Sequence, residues 1–197
     1  MNRILSFRNP MLTKIIMDEK IFGYGSLVWK PGFENYSERI LGYITNYERR
    51  FYQISKYHRG TEHNPGRVVT LLPKEGARTY GVCYTIKEQT EGIFETLNQR
   101  ECVVETFELL KTLFYPLDGR EPYQVKIYIA TKFNPNFDIQ PEETIADIIY
   151  HASGNSGTNI EYLYKLLNFM KKELPHVSDD HLLALDDIIK SKYSLIN

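Results

Sequence analysis

Cysteine is scarce in this chain. Cys83 and Cys102 are the only two in 197 residues, with no C-x-x-C pair and no histidine at zinc-finger spacing. That excludes a disulfide framework and a structural zinc module, and it fits a reducing compartment. Runs of like charge are also missing. Lys and Arg number 24 against 25 Asp and Glu, a net charge of -1. The electrostatic footprint of a nucleic-acid or anionic-lipid binder is therefore absent, and neither partner is expected. No apolar run approaches the roughly 20 residues a spanning helix needs. The ligand chemistry left open is that of a small neutral or zwitterionic molecule.

What is present is the balance of a globular protein, 42% apolar and 25% charged, in a length that fits one domain with one core. Residues 1–19 read as an N-terminal extension. They are basic up to Asp18 and hold three methionines. They fit either a short presequence or a chain whose folded part starts near Met17. A single domain is expected over residues 20–197.

Segments rich in Val, Ile, Tyr and Phe predict strands near 20–28, 39–56, 67–73, 79–86, 103–115 and 123–131. Turn signals separate them, such as Asn64-Pro65-Gly66 and Leu117-Asp118-Gly119. One helix interrupts the series over 87–101, with Ile93, Phe94 and Leu97 on one face. The last third predicts three helices. The first, 141–153, opens on proline and two glutamates. The next two, 159–174 and 179–193, each open on an Asn or Asp cap. Strands first and helices later argue an α+β fold.

Near the front stands Phe22 to Trp29, "FGYGSLVW". A dinucleotide fingerprint would need a third glycine where Val28 stands, and the Lys30-Pro31-Gly32 turn follows where a helix should continue. A P-loop fails for want of Gly-Lys-Ser/Thr. Two readings remain for Gly23-Tyr24-Gly25-Ser26-Leu27. Successive N–H groups form a nest for a carboxylate or oxyanion, or the glycines only serve φ > 0 at a tight corner.

Four further stretches follow in order: "RRFYQISKYHRG" from Arg49, "NPGRVVTLLP" from Asn64, "LNQRE" ending at Glu101, and "GNSGTNIEYL" from Gly154. The series resembles the ChaC family, the glutathione-specific gamma-glutamylcyclotransferases, from about Ile21 to Tyr193. The resemblance implies a gamma-glutamylcyclotransferase-like fold, a small curved mixed β-barrel-like sheet with packed helices. It implies cleavage of glutathione to 5-oxoproline and cysteinylglycine in the cytosol without a cofactor or metal. It implies that Gly23, Tyr24, Gly25, Ser26, Leu27 and Val28 hold the gamma-glutamyl end, and that Glu101 is the acid/base. After Arg100-Glu101 the chain reads Cys102-Val103-Val104-Glu105 where the family usually has Lys-Gly-Gly-Tyr. Activity on other gamma-glutamyl peptides or amines, or binding of glutathione without turnover, stay open on that account.

The implied reaction needs no protein nucleophile, because the α-amine of the glutamyl group attacks its own side-chain carbonyl. Orientation alone can be worth up to roughly 7–11 kcal/mol. One buried carboxylate can take the ammonium proton and hand it to the departing amine. Arg59 and Arg67 each fit the glycyl carboxylate of glutathione, and each fits an internal salt bridge equally well. Tyr162 is expected to reach the pocket with its hydroxyl. His63, His151, His176 and His181 read as surface or cap residues, Glu95, Glu105 and Glu108 as structural or solvated. Cys102 reads as a small apolar group rather than a nucleophile.

Overall fold

The computed structural model describes residues 18–87, 92–99, 101 and 106–193. The N-terminal extension up to Met17, Arg100, and the segment from Cys102 to Glu105 lie outside the described residues.

Five strands close into a barrel in the order β1-β3-β2-β4-β5. They are β1 (Glu19–Gly23), β2 (Tyr36–Ser55), β3 (Gly66–Ile86), β4 (Glu108–Pro116) and β5 (Tyr123–Ile129). The frame is the long antiparallel β2–β3 hairpin, and β1 runs antiparallel to β3 from Glu19↔Ile86 to Gly23↔Val82. The barrel closes where β1 meets β5 in parallel at Ile21↔Lys126, so the sheet is mixed. Phe22, Ile44, Val82, Phe114 and Ile127 are buried within it.

In β2 the buried positions run Ile40, Gly42, Ile44 and then Arg49, Phe51, Gln53, Ser55. The parity changes at a register shift between Thr45 and Tyr47, where Asn46 takes φ 63°. Between these pairs β2 advances from Thr45 to Tyr47 while β3 runs from Arg78 to Pro73, and an odd excess of residues in one strand moves every later side chain to the opposite face. Asn46 tolerates that backbone, and its Oδ1 accepts from Gly76 N at 3.0 Å. The same irregularity explains why β3 reads as two strands in the sequence: Thr45 faces Arg78 while Tyr47 faces Pro73, so residues 74–77 lie outside the pairing.

Among the described residues the α-helices are α1 (Ile93–Asn98), α2 (Glu142–His151), α3 (Asn159–Glu173) and α4 (Asp180–Tyr193), with the two-residue strands β6 (Ser153–Gly154) and β7 (Gly157–Thr158) pairing before α3. The C-terminal helices present Ile145, Ile149, Leu163, Leu166, Leu185 and Ile189 to one core. At roughly 1.5–3 kcal/mol for each such side chain fully buried, that shared face holds them.

Two sequence readings are corrected here. Asn159 does not cap α3. Thr158 does, its hydroxyl accepting from Glu161 N at 3.3 Å. Asn159 is fully buried; its Oδ1 accepts from Arg67 N at 2.5 Å and its Nδ2 donates to Arg67 O at 2.7 Å. It thus satisfies both backbone groups of a β3 residue as a neighbouring strand would. The cap reading of Asp179 holds for α4, where Oδ1 accepts from Leu182 N at 3.3 Å.

His181 is not a surface residue. It is 2% exposed, its Nε2 accepts from Phe51 N at 3.1 Å, and its Nδ1 lies 2.8 Å from Glu142 Oε1. Accepting at Nε2 fixes the neutral tautomer with the proton on Nδ1. Burial pushes its pKa down and Arg50 adds to that, while Glu142 and Asp179 pull it up without reversing the direction. The unfolded chain therefore takes up a proton that the folded one refuses, and stability present above the ordinary histidine pKa of about 6.5 is lost as pH falls below it. His181→Gln keeps an acceptor near Nε2 and cannot titrate. Between pH 7 and pH 5 the parent should lose more Tm than His181→Gln, at about 2–4 °C for each kcal/mol in a chain of this size. Equal acid slopes in the two melting series would refute the role given to His181.

Candidate active site

At the end of β1 the chain leaves the barrel through Tyr24 and Gly25 into one turn of 3-10 helix, Ser26–Val28. The sequence reading extended the strand to residue 28. The turn is closed by Val28 N donating to Gly25 O at 3.1 Å and by Lys30 N donating to Ser26 O at 2.8 Å. The first N–H groups of such a turn do not enter its own ladder and face outward from its start.

The glycines are there for space. Neither Gly23 nor Gly25 has positive φ, and Gly25 sits at φ -115°, which corrects the corner reading. A Cβ on Gly25 would lie 2.8 Å from the Tyr162 hydroxyl and 3.0 Å from Val69 Cγ2; one on Gly23 would lie 2.5 Å from Leu27 Cβ. Tyr162 itself is boxed in, with the Trp29 ring edge-on at 5.1 Å, Phe51 edge-on at 5.7 Å and the Arg59 guanidinium 5.5 Å above its ring.

The turn forms part of the wall of a pocket of about 100 Å³. Tyr24, Gly25, Ser26, Leu27, Arg59, Glu101 and Tyr162 all line it. Gly23 and Val28, expected in the same set, do not; Gly23 ends β1 and Val28 is buried in the core.

Glu101 lies 7% exposed in the lining of the same pocket. Ile93 and Leu97 of α1 pack on the core, and beyond Asn98 the helical path widens to π form at Gln99 and Glu101, which leaves Glu101 buried on the inner side. Glu101 O then accepts from Phe107 N at 2.9 Å, which folds the chain back so that Phe107 also faces the pocket.

Tyr24 donates its hydroxyl to Tyr128 O at 2.6 Å. Burial above all, then the neighbouring Tyr162 and the Glu101 charge, push its pKa well above the ordinary range, against an opposing hydrogen bond with Thr70 and the charge of Arg49. Tyr24 is thus a neutral phenol beside an acidic residue.

The two arginines are committed to internal carboxylates. Arg59 Nη1 donates to Glu161 Oε2 at 2.9 Å and to Thr158 O at 3.0 Å, so Arg59 borders the pocket as half of an ion pair. Arg67 pairs with the Asp138 carboxylate, donates to Asp138 O at 2.8 Å, and lies outside the pocket lining. Among the described residues, no three His, Cys, Asp or Glu side chains gather as metal ligands would.

Sequence reasoning missed Trp29, Lys30, Phe107, Tyr128 and Ser156, which also line the pocket. Trp29 and Lys30 directly follow the glycine turn and Ser156 lies inside "GNSGTNIEYL", so those signals were available. Tyr128 arrives across the barrel, and nothing local marks it.

Comparison with known proteins agrees with this geometry. The profile of the family described as ChaC-like protein matches residues 20–192. Glutathione-specific gamma-glutamylcyclotransferase 1 of Rattus norvegicus is 43% identical over 174 residues, 87% of this chain and 78% of that protein. The glutathione-specific gamma-glutamylcyclotransferase of Schizosaccharomyces pombe is 30% identical over 191 residues, 87% and 92% of the two chains. The crystal structure of a selenomethionine-labelled gamma-glutamyl cyclotransferase specific to glutathione from yeast superposes with a TM-score of 0.81 at 27% identity, covering 88% of this chain and 96% of that one. A barrel closed by β1 against β5, a glycine turn and a buried glutamate lining one pocket, and a match over nearly the whole length lead to one assignment: the chain belongs to the ChaC family.

Proposed function

We infer that this protein degrades glutathione by gamma-glutamyl cyclotransfer, releasing 5-oxoproline and cysteinylglycine. The observation that carries the reading is that one buried carboxylate, Glu101, lines the same pocket as the Tyr24–Leu27 turn. The curated relatives named as glutathione-specific support the substrate.

In this reading the gamma-glutamyl group lies in this pocket, in reach of both the turn and Glu101. The α-ammonium faces Glu101, which takes one proton. The freed amine attacks the γ-carbonyl carbon and a C–N bond forms. Charge gathers on the carbonyl oxygen, for which outward N–H groups of the turn and the Tyr162 hydroxyl are the candidate donors. As the bond to the cysteinyl nitrogen breaks, Glu101 returns its proton to the leaving amine, and the surplus proton of the ring nitrogen passes by the same carboxylate to that amine, which departs as an ammonium, so one carboxylate serves both halves. Tyr24, held neutral, presents no competing negative charge to the substrate. Leu27, Val68 and Val69 keep the chamber apolar, where each polar contact counts for more. Arg59 acts through its ring contact with Tyr162 and its bond to Thr158, as a brace. Cys83 is a free buried thiol whose pKa burial pushes up to about 11, and the cytosol is the setting we propose.

The test is a product assay on purified protein, following 5-oxoproline from glutathione and from a panel of gamma-glutamyl dipeptides. Turnover of glutathione ahead of the panel is expected. A protein that prefers the dipeptides, or binds glutathione without any product when used at near-substrate concentration, overturns the reading.

A further inference from the structure

We propose that Asn134 is a positioning residue for Glu101: its carboxamide holds Thr106 in a left-handed backbone conformation, and so fixes the pocket wall that Glu101 and Phe107 form. The inference rests on the reading of Glu101 as the proton carrier.

Thr106 has φ 61°. For a β-branched residue that region is an outlier, and such outliers persist only where the surroundings impose them. Asn46, the other non-glycine residue with positive φ among those described, is of a type that visits the region readily. Thr106 is not, and what imposes its conformation is visible.

Asn134 Nδ2 donates to Thr106 O. Asn134 Oδ1 accepts from Thr106 Oγ1 at 3.0 Å and from Asn136 N at 2.8 Å. Asn136 Nδ2 donates to Thr106 Oγ1 at 3.3 Å. Backbone and side chain of Thr106 are both gripped, and the grip is largely out of water because Asn134 is buried.

The clamp is anchored in turn. Asn134 N donates to Thr131 O and Phe137 N donates to Asn134 O, both at 2.9 Å, which closes the turn after β5. That turn is stitched to β2 by Ile54 N donating to Asn136 O at 2.8 Å and Asp138 N donating to Tyr52 O at 2.8 Å. On the other side, Thr106 leads directly into Phe107, whose N–H donates to Glu101 O at 2.9 Å and whose ring borders the pocket. The φ of Thr106 decides where Phe107 enters, and Phe107 holds the Glu101 backbone. A catalytic carboxylate just past the end of a helix as short as α1 needs such a brace, because six residues supply little rigidity of their own.

The test pairs two substitutions. Asn134→Ala should lower kcat for 5-oxoproline release from glutathione at least about 10-fold, a displacement of the order of 1 Å being able to cost about 10²-fold. KM should move less than threefold, because none of the clamp's hydrogen bonds involves the glycine turn. Adding Thr106→Gly should restore kcat to within threefold of the parent, since glycine adopts φ > 0 unaided. A loop that merely supports the fold would change Tm and show no such rescue. If Asn134→Ala does not fold, Asn134→Asp takes its place in the pair; it keeps an acceptor for Asn136 N and has no N–H for the Thr106 carbonyl. Hydrogen exchange of the Phe107 amide gives a readout besides activity and should quicken in the Asn134 variant. A folded Asn134 variant with parental kcat, or a loss that Thr106→Gly leaves in place, overturns the clamp, as does unchanged protection of Phe107. A parent that releases no 5-oxoproline overturns the functional reading instead, and the Phe107 exchange then decides the clamp alone.

Discussion

Glu101→Gln lowers kcat for 5-oxoproline release from glutathione at least about 100-fold, or about 2.7 kcal/mol of transition-state stabilisation at 1.36 kcal/mol per tenfold. The substitution is nearly isosteric and keeps a hydrogen-bonding head group, but an amide does not accept a proton at neutral pH. Both halves of the reaction lose their shuttle at once: the ammonium cannot be deprotonated and the leaving amine cannot be protonated. KM should change far less than kcat, since shape and hydrogen bonding at the wall are retained. The variant should fold as well as the parent or better, because Glu101 is 7% exposed and a buried carboxylate costs more to desolvate than its amide. Steady-state kinetics with a melting curve decide the matter. A folded Gln variant within a few-fold of the parental rate would mean that water or another group moves the proton.

Gly25→Val should lower kcat/KM at least about 100-fold while leaving the protein folded. The ground is space: a first side-chain carbon on Gly25 already meets the Tyr162 hydroxyl at 2.8 Å and Val69 Cγ2 at 3.0 Å, before the two methyls of valine are added. Tyr162 cannot swing away cheaply, because Trp29 and Phe51 stand edge-on to its ring. The turn must move instead, and misplacement by the order of 1 Å of groups that orient a reacting molecule can cost about 10²-fold. Overpacking elsewhere costs about 1–3 kcal/mol, which a chain with this barrel and helical core should withstand. Gly25→Ala should show the same defect at smaller size. Parental turnover in a folded Val variant would show that the Tyr24–Leu27 turn does not touch the substrate.

The parts of this molecule that the sequence made legible are those written in local chemistry. Alternation and turn residues marked the strands, Pro141 with two glutamates marked the start of α2, and Ile93 and Leu97 marked a face that leads to Glu101. The misreadings share one cause, partners distant in the chain. Asn159 looked like a cap because Asn favours caps; its partner Arg67 lies 92 positions away. His181 looked solvated because nothing near it in sequence suggested that Phe51, 130 positions off, offers it an N–H. Gly25 was read for its own backbone freedom, when Tyr162 decides it. Arg59 and Arg67 stood open between ligand and salt bridge until Glu161 and Asp138 were seen beside them. The strand expected from residue 103 begins at Glu108, and the left-handed Thr106 stands just before it, a conformation that no propensity of threonine announces.

The parallel seam between β1 and β5 has a further consequence, for the order in which the molecule can assemble. The β2–β3 hairpin joins neighbours in the chain and can zip from its turn, whereas Ile21 must wait for Lys126. Closing so long a loop is entropically costly before the contact rewards it, which places such pairings late and slows the folding of barrels. The Tyr24–Leu27 turn hangs from the end of β1, which β3 already holds, but Tyr128 of β5, which lines the pocket and accepts the Tyr24 hydroxyl, joins it only when that seam shuts. A chain emerging from the ribosome can thus build its hairpin early, but it owns no substrate pocket until the fifth strand has been made.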